Sequence, residues 1–181
     1  MATKYMLYFD PSKTGAGALM SMDEYRVTVL VMYQQFTFGS VAGDAALDVL
    51  FEMAAKRGAV VAAEEPQGTD ARGRALRRAQ AEVIGELKAR TRRHGLEWAG
   101  VVVPATAKVA LTGSGKASKR DMIRFANLRF RLDLRDPEDE HAADAIGGAL
   151  AALEGRFVQR HPRQRRAAIA REILRRTGME A

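Results

Sequence analysis

The sequence predicts an α/β fold: a mixed five-stranded sheet, three antiparallel strands followed by parallel ones, with helices on both faces. Three observations carry this. Strand-like patterns crowd the first forty residues, helical and strand-like patterns alternate after them, and two later strands are short, wholly apolar runs suited to burial on both faces.

Residues 5–10 alternate aromatic and apolar side chains and stop at Asp10-Pro11, since proline cannot extend a ladder. Residues 15–21 and 26–33 are two further strands, joined by the polar Met22-Asp23-Glu24 turn into an antiparallel meander. Residues 44–57 carry Leu47, Leu50, Phe51 and Ala54 at helical spacing, with Asp44 placed to cap the start and Gly58 to end it. The apolar run 59–63 is a strand ending at Glu64-Glu65-Pro66. Residues 71–93 give a long helix with Leu76, Val83, Ile84 and Leu87 inward and its arginines and lysines, Arg90 among them, largely outward. Residues 98–103 form a strand stopped by Pro104, 117–130 a helix, and 139–153 a last helix with Gly155 just beyond. This succession resembles the ribonuclease H-like order.

The 181 residues suffice for one core, so residues 1–157 are expected to form one domain and 158–181 a basic, helical tail. No long apolar run or secretory signal is present, which points to a soluble intracellular protein with no membrane partner. With no cysteine, disulfides, thiolate zinc sites and cysteine nucleophiles are excluded, leaving carboxylates and three histidines to hold any metal. The formal charge of +7 favours a polyanionic partner, nucleic acid first, with salt-dependent binding.

Phosphodiester hydrolysis with two divalent cations needs carboxylates from separate elements converging where the ions sit about 4 Å apart. Asp10 ends the first strand, Glu64 ends a central strand, and Asp144 lies in the first turns of the last helix, where such convergence is open to them. Pleat alternation sends Glu65 to the opposite side from Glu64, and Asp139 is a further acid at the start of the last helix; both could join the metal set. His141 and Asp144 share one helix face at i, i+3, and a neutral imidazole can ligate a cation or position a water. Lys116 and Lys119 follow a glycine-rich loop at a helix start, where backbone N–H groups favour phosphate. His94 and His161 sit among arginines and receive no role, and Trp98 is read as packing.

Four blocks together resemble the RuvC-type Holliday junction resolvases. Phe9-Asp10-Pro11-Ser12-Lys13-Thr14-Gly15 is similar to their opening, and residues 60–66 resemble their second acidic strand. Residues 104–119, with Lys108, the turn Gly113-Ser114-Gly115 and Lys119, resemble their proline, lysine, glycine-turn and lysine segment. His141-Ala142-Ala143-Asp144-Ala145 resembles their closing motif. The resemblance covers residues 6 to about 153. It implies a cytoplasmic homodimer, in a bacterial cell or a phage-infected host, that binds four-way DNA junctions and nicks two strands symmetrically. Two Mg2+ ions per active site, with Mn2+ as substitute, would be held by Asp10, Glu64, His141 and Asp144, while Lys108 and Lys119, with Lys116 and Ser114 in the same segment, would contact DNA. The segment Glu65-Pro66-Gln67-Gly68 departs from the family, some members of which carry an aromatic side chain there.

Overall fold

The computed structural model describes residues 3–66 and 71–158. The elements run β1 (Lys4–Asp10), β2 (Thr14–Met22), β3 (Thr28–Thr37), α1 (Val41–Ala55), β4 (Val60–Glu64), α2 (Ala71–Arg93), β5 (Glu97–Val102), α3 (Pro104–Thr112), α4 (Lys119–Phe130) and α5 (Glu140–Leu153). The sheet order is β3-β2-β1-β4-β5. β1 pairs antiparallel with β2, and β2 with β3, while β1, β4 and β5 run parallel, as the succession of patterns predicts.

Side chains alternate across β1, so Met6, Tyr8 and Asp10 face one layer of helices and Leu7 and Phe9 the other. The first layer is α5, with Met122, Ile123 and Ala126 of α4 and Leu111 of α3 packed around it. The second is α1 and α2, which supply Leu47, Leu50 and Phe51, and Val83, Ile84 and Leu87. Residues 142–153 of α5 are buried without interruption, which explains a helix made almost wholly of alanine, glycine and leucine. Gly148 lets this helix lie against the sheet: a Cβ there would stand 1.9 Å from Cε1 of Tyr8, far inside van der Waals contact.

Several local readings change. The helix expected from Asp44 begins at Val41, with Ser40 accepting a hydrogen bond from the Gly43 amide at 3.0 Å. Asp44 instead joins Asp48 and Glu86 around Arg90, at 2.7, 2.5 and 3.1 Å. Arg90 is therefore not outward but 8% exposed, an ionic tie between α1 and α2. Leu76, read as inward, is 54% exposed. Pro104 does more than stop a strand: it starts α3, because the first helical position needs no amide hydrogen. The third strand continues four residues past Tyr33, to Thr37. His94 stacks on Phe51, their ring centroids 5.4 Å apart, and Trp98 packs on the α1 and α2 side with the Lys88 ammonium 5.2 Å above its ring. Gln67, Gly68, His161 and residues 159–181 of the expected tail lie outside the described residues. No helix among the described residues is long and apolar enough to cross a membrane.

Candidate active site

Asp10 is the last residue of β1 and is 4% exposed. Its Oδ1 accepts a hydrogen bond from Ser12 Oγ at 2.9 Å, and its Oδ2 lies 2.5 Å from His141 Nδ1. A carboxylate only accepts, so Nδ1 carries the shared proton. The parallel register sets Tyr8 against Ala62 and Phe9 against Ala63, so the next step along both strands brings Asp10 beside Glu64. Both then project toward α5. Glu65 follows on the opposite side of the pleat, and its backbone amide continues the sheet pattern to the Val102 carbonyl at 2.9 Å.

α5 contributes His141 and Asp144 from one face. Its start is anchored by Asp139, whose Oδ1 accepts from the Gln35 side-chain amide of β3 and whose Oδ2 accepts from the Arg135 backbone amide at 2.8 Å. Asp139 thus ties a sheet edge to the helix that carries two site residues. Ser118 and Asp121 close a capping box at the head of α4, which fixes Lys119 as its first residue. The Lys119 ammonium forms an ion pair with Asp144 Oδ2. Lys108, on α3, is close enough to act electrostatically on Glu64, whereas Lys116 and Ser114 lie exposed on the loop between α3 and α4.

Burial first, and neighbouring negative charge second, govern the electrostatics of the acids. Burial, then the charges of Asp10 and Asp144, push Glu64 up to about 8, against relief from Lys119 and Lys108. Asp144 is raised by burial in spite of its bond to Lys119. His141 is raised chiefly by its hydrogen bond to Asp10, against burial. Burial lowers Lys119, but the bond to and charge of Asp144 outweigh it and hold the ammonium above its ordinary range. Tyr8, beneath these groups, is raised well above a free phenol by burial and then by Glu64, Asp10 and Asp144. Its hydroxyl is buried with no hydrogen-bond partner among the described residues.

Tyr8, Ser12 and Gln35 are the groups that sequence reasoning missed. Tyr8 had a signal, since strand alternation puts residue 8 on the face of residue 10. Gln35 had none, being brought to Asp139 across 104 residues of chain.

The donors fit a hard divalent cation in kind, being three carboxylates and an imidazole. They also fit in charge, since an ammonium and an imidazole proton now lie against Asp144 and Asp10, where a cation would be favoured. Among the described residues no three histidine or carboxylate side chains are close enough, as they stand, to enclose one ion. Asp144 could take a cation only once Lys119 released it.

No family model and no curated protein sequence matches the chain. Among solved structures, it is similar to T. thermophilus RuvC in complex with a Holliday junction substrate, with a TM-score of 0.58 and 20% identity over 84% of this chain and 95% of that one. The fold is RuvC-like. A second structure of Thermus thermophilus RuvC agrees, with a TM-score of 0.55 and 18% identity over the same shares. At these identities the likeness to RuvC is one of fold.

Proposed function

We propose that this chain is a divalent-cation-dependent endodeoxyribonuclease that resolves four-way DNA junctions by symmetric nicking, acting as a homodimer. The observation that carries this reading is the placement of Asp10 and Glu64 at the adjoining ends of the inner strands β1 and β4, with Asp144 of α5 near enough to act on Glu64, beside two lysines of a RuvC-like fold. The solved T. thermophilus relative was captured with a Holliday junction substrate, which supports DNA of that form as the partner. The formal charge of +7 supports a nucleic acid in general.

In this reading Asp10, Glu64 and Asp144 hold the cations, two Mg2+ ions or Mn2+ in their place, with His141 as a fourth donor. The ions would supply Lewis-acid activation of water and of the scissile phosphate. Asp10 keeps the His141 ring oriented through Nδ1. Lys119 exchanges Asp144 for a phosphate oxygen as DNA arrives, which couples substrate binding to exposure of a carboxylate. Lys108, Lys116 and Ser114 contact the backbone near the head of α4, where the positive end of the helix favours phosphate.

A synthetic mobile four-way junction incubated with Mg2+ or with EDTA tests the reading. Symmetric nicking in Mg2+, absent in EDTA and absent in Asp10→Asn, is the expected result; cleavage by Asp10→Asn at the wild-type rate refutes it. Salt-sensitive binding without cleavage would instead mark a non-catalytic junction-binding protein. The segment Glu65-Pro66-Gln67-Gly68 carries no aromatic side chain to open a junction centre, which favours activity on forks and flaps as well. A fork and a plain duplex therefore belong in the same assay.

A further inference from the structure

We propose that Tyr8 is a positioning residue whose hydroxyl donates a hydrogen bond to the Glu64 carboxylate in the cation-bound site. The inference rests on the metal site proposed above and adds a residue to it.

Tyr8 lies opposite Ala62 in the parallel register, and Glu64 is two residues further along the same face of the neighbouring strand. The two side chains share one face of the sheet, and of the neighbouring acids Glu64 acts most strongly on the Tyr8 hydroxyl. The Tyr8 ring cannot turn elsewhere: it is fully buried, and α5 is laid over it at Gly148, where a Cβ would stand 2.1 Å from Cζ, the carbon that bears the hydroxyl. The hydroxyl is buried and finds no acceptor among the described residues. Beside it, Glu64 is a crowded carboxylate that is relieved by the charges of Lys119 and Lys108. A buried donor without an acceptor is costly to keep, and phenylalanine would fill the same space without that cost. Pairing the two groups removes the cost and fixes one oxygen of Glu64, leaving the other for a cation. Carboxylate ligands are commonly held in this way by a partner outside the coordination sphere.

The test is calorimetric titration of Mn2+ alone into the full chain, as wild type, Tyr8→Phe, Glu64→Ala and the double variant. Tyr8→Phe keeps the ring, and circular dichroism checks its fold. About tenfold weaker Mn2+ binding is expected for Tyr8→Phe, with an unchanged or higher melting temperature for the metal-free protein. In the Glu64→Ala background the same substitution is expected to change nothing. Equal affinity of Tyr8→Phe and wild type overturns the proposal while leaving the metal site standing, and so does an undiminished effect in the Glu64→Ala background. No Mn2+ binding by the wild type overturns both this proposal and the metal site.

Discussion

Replacing Glu64 by glutamine is expected to stabilise the metal-free protein at neutral pH while abolishing cleavage. Glu64 ionises near 4.5 in an unfolded chain and near 8 in the folded one, because burial and the charges of Asp10 and Asp144 oppose its ionisation. Folding therefore takes up a proton between those values. The stability associated with Glu64 is complete below about pH 4.5 and drains away as the pH rises toward 8. Each pH unit in that window costs about 1.4 kcal/mol, so the ceiling at about pH 7.5 is ~4 kcal/mol. Glu64 is only partly buried and Lys119 can swing toward it, so we expect about 2 kcal/mol. Glutamine has the same shape and cannot ionise. In EDTA at about pH 7.5 the variant should melt ~4–8 °C above wild type, and the gap should close at about pH 5. Differential scanning calorimetry at the two pH values measures this. A gap that does not depend on pH, or a variant that melts lower at neutral pH, would refute the reasoning, because it would mean that neither burial nor neighbouring charge opposes the ionisation of Glu64. Adding Mg2+ should raise the wild type far more than the variant.

Four further outcomes follow from the same geometry. Asp10→Asn should retain junction binding in a gel-shift assay, since loss of negative charge cannot weaken attraction to phosphate, while nicking falls below detection. Lys119→Met should bind Mg2+ about tenfold more tightly by calorimetry, because a cation is removed from Asp144, yet should cleave more slowly for want of its phosphate contact. Gly148→Ala should cost about 3 kcal/mol in urea unfolding, as the new methyl group would have to displace α5 from a fully buried ring. Arg90→Leu should cost about 2 kcal/mol by the same measurement; its three acidic partners, with side chains 40–57% exposed, can return to water, which keeps the loss below that of a fully buried pair.

Legibility of the fold followed the strength of local patterns. β1, β4 and α5 were readable because Asp10-Pro11, Glu64-Glu65-Pro66 and Gly155 punctuate clear periodicities, and Gly155 indeed takes a positive φ of 76°. α3 was not, because its nine residues, PATAKVALT, are small and mixed and begin with a proline that serves equally well to end a strand or open a helix. Arg90 was misread for a related reason: nothing local distinguishes it from Arg92 and Arg93, and its burial depends on acids more than forty residues earlier.

The chemistry of the candidate site was written into the sequence as residue types at element ends: an aspartate before a proline, a glutamate after an apolar run, and a histidine three residues before an aspartate. Those features depend on neighbours in the chain, and so did the order of strands and helices. Tertiary structure alone decided which groups meet. It brought His141 onto Asp10 across 131 residues, set Lys119 on Asp144, and laid Gly148 over Tyr8 so that a phenol came to rest under the acids. Burial and the approach of like charges arise from distances in space rather than in sequence, and for that reason the raised proton affinity of Glu64 could not be read before the fold was known.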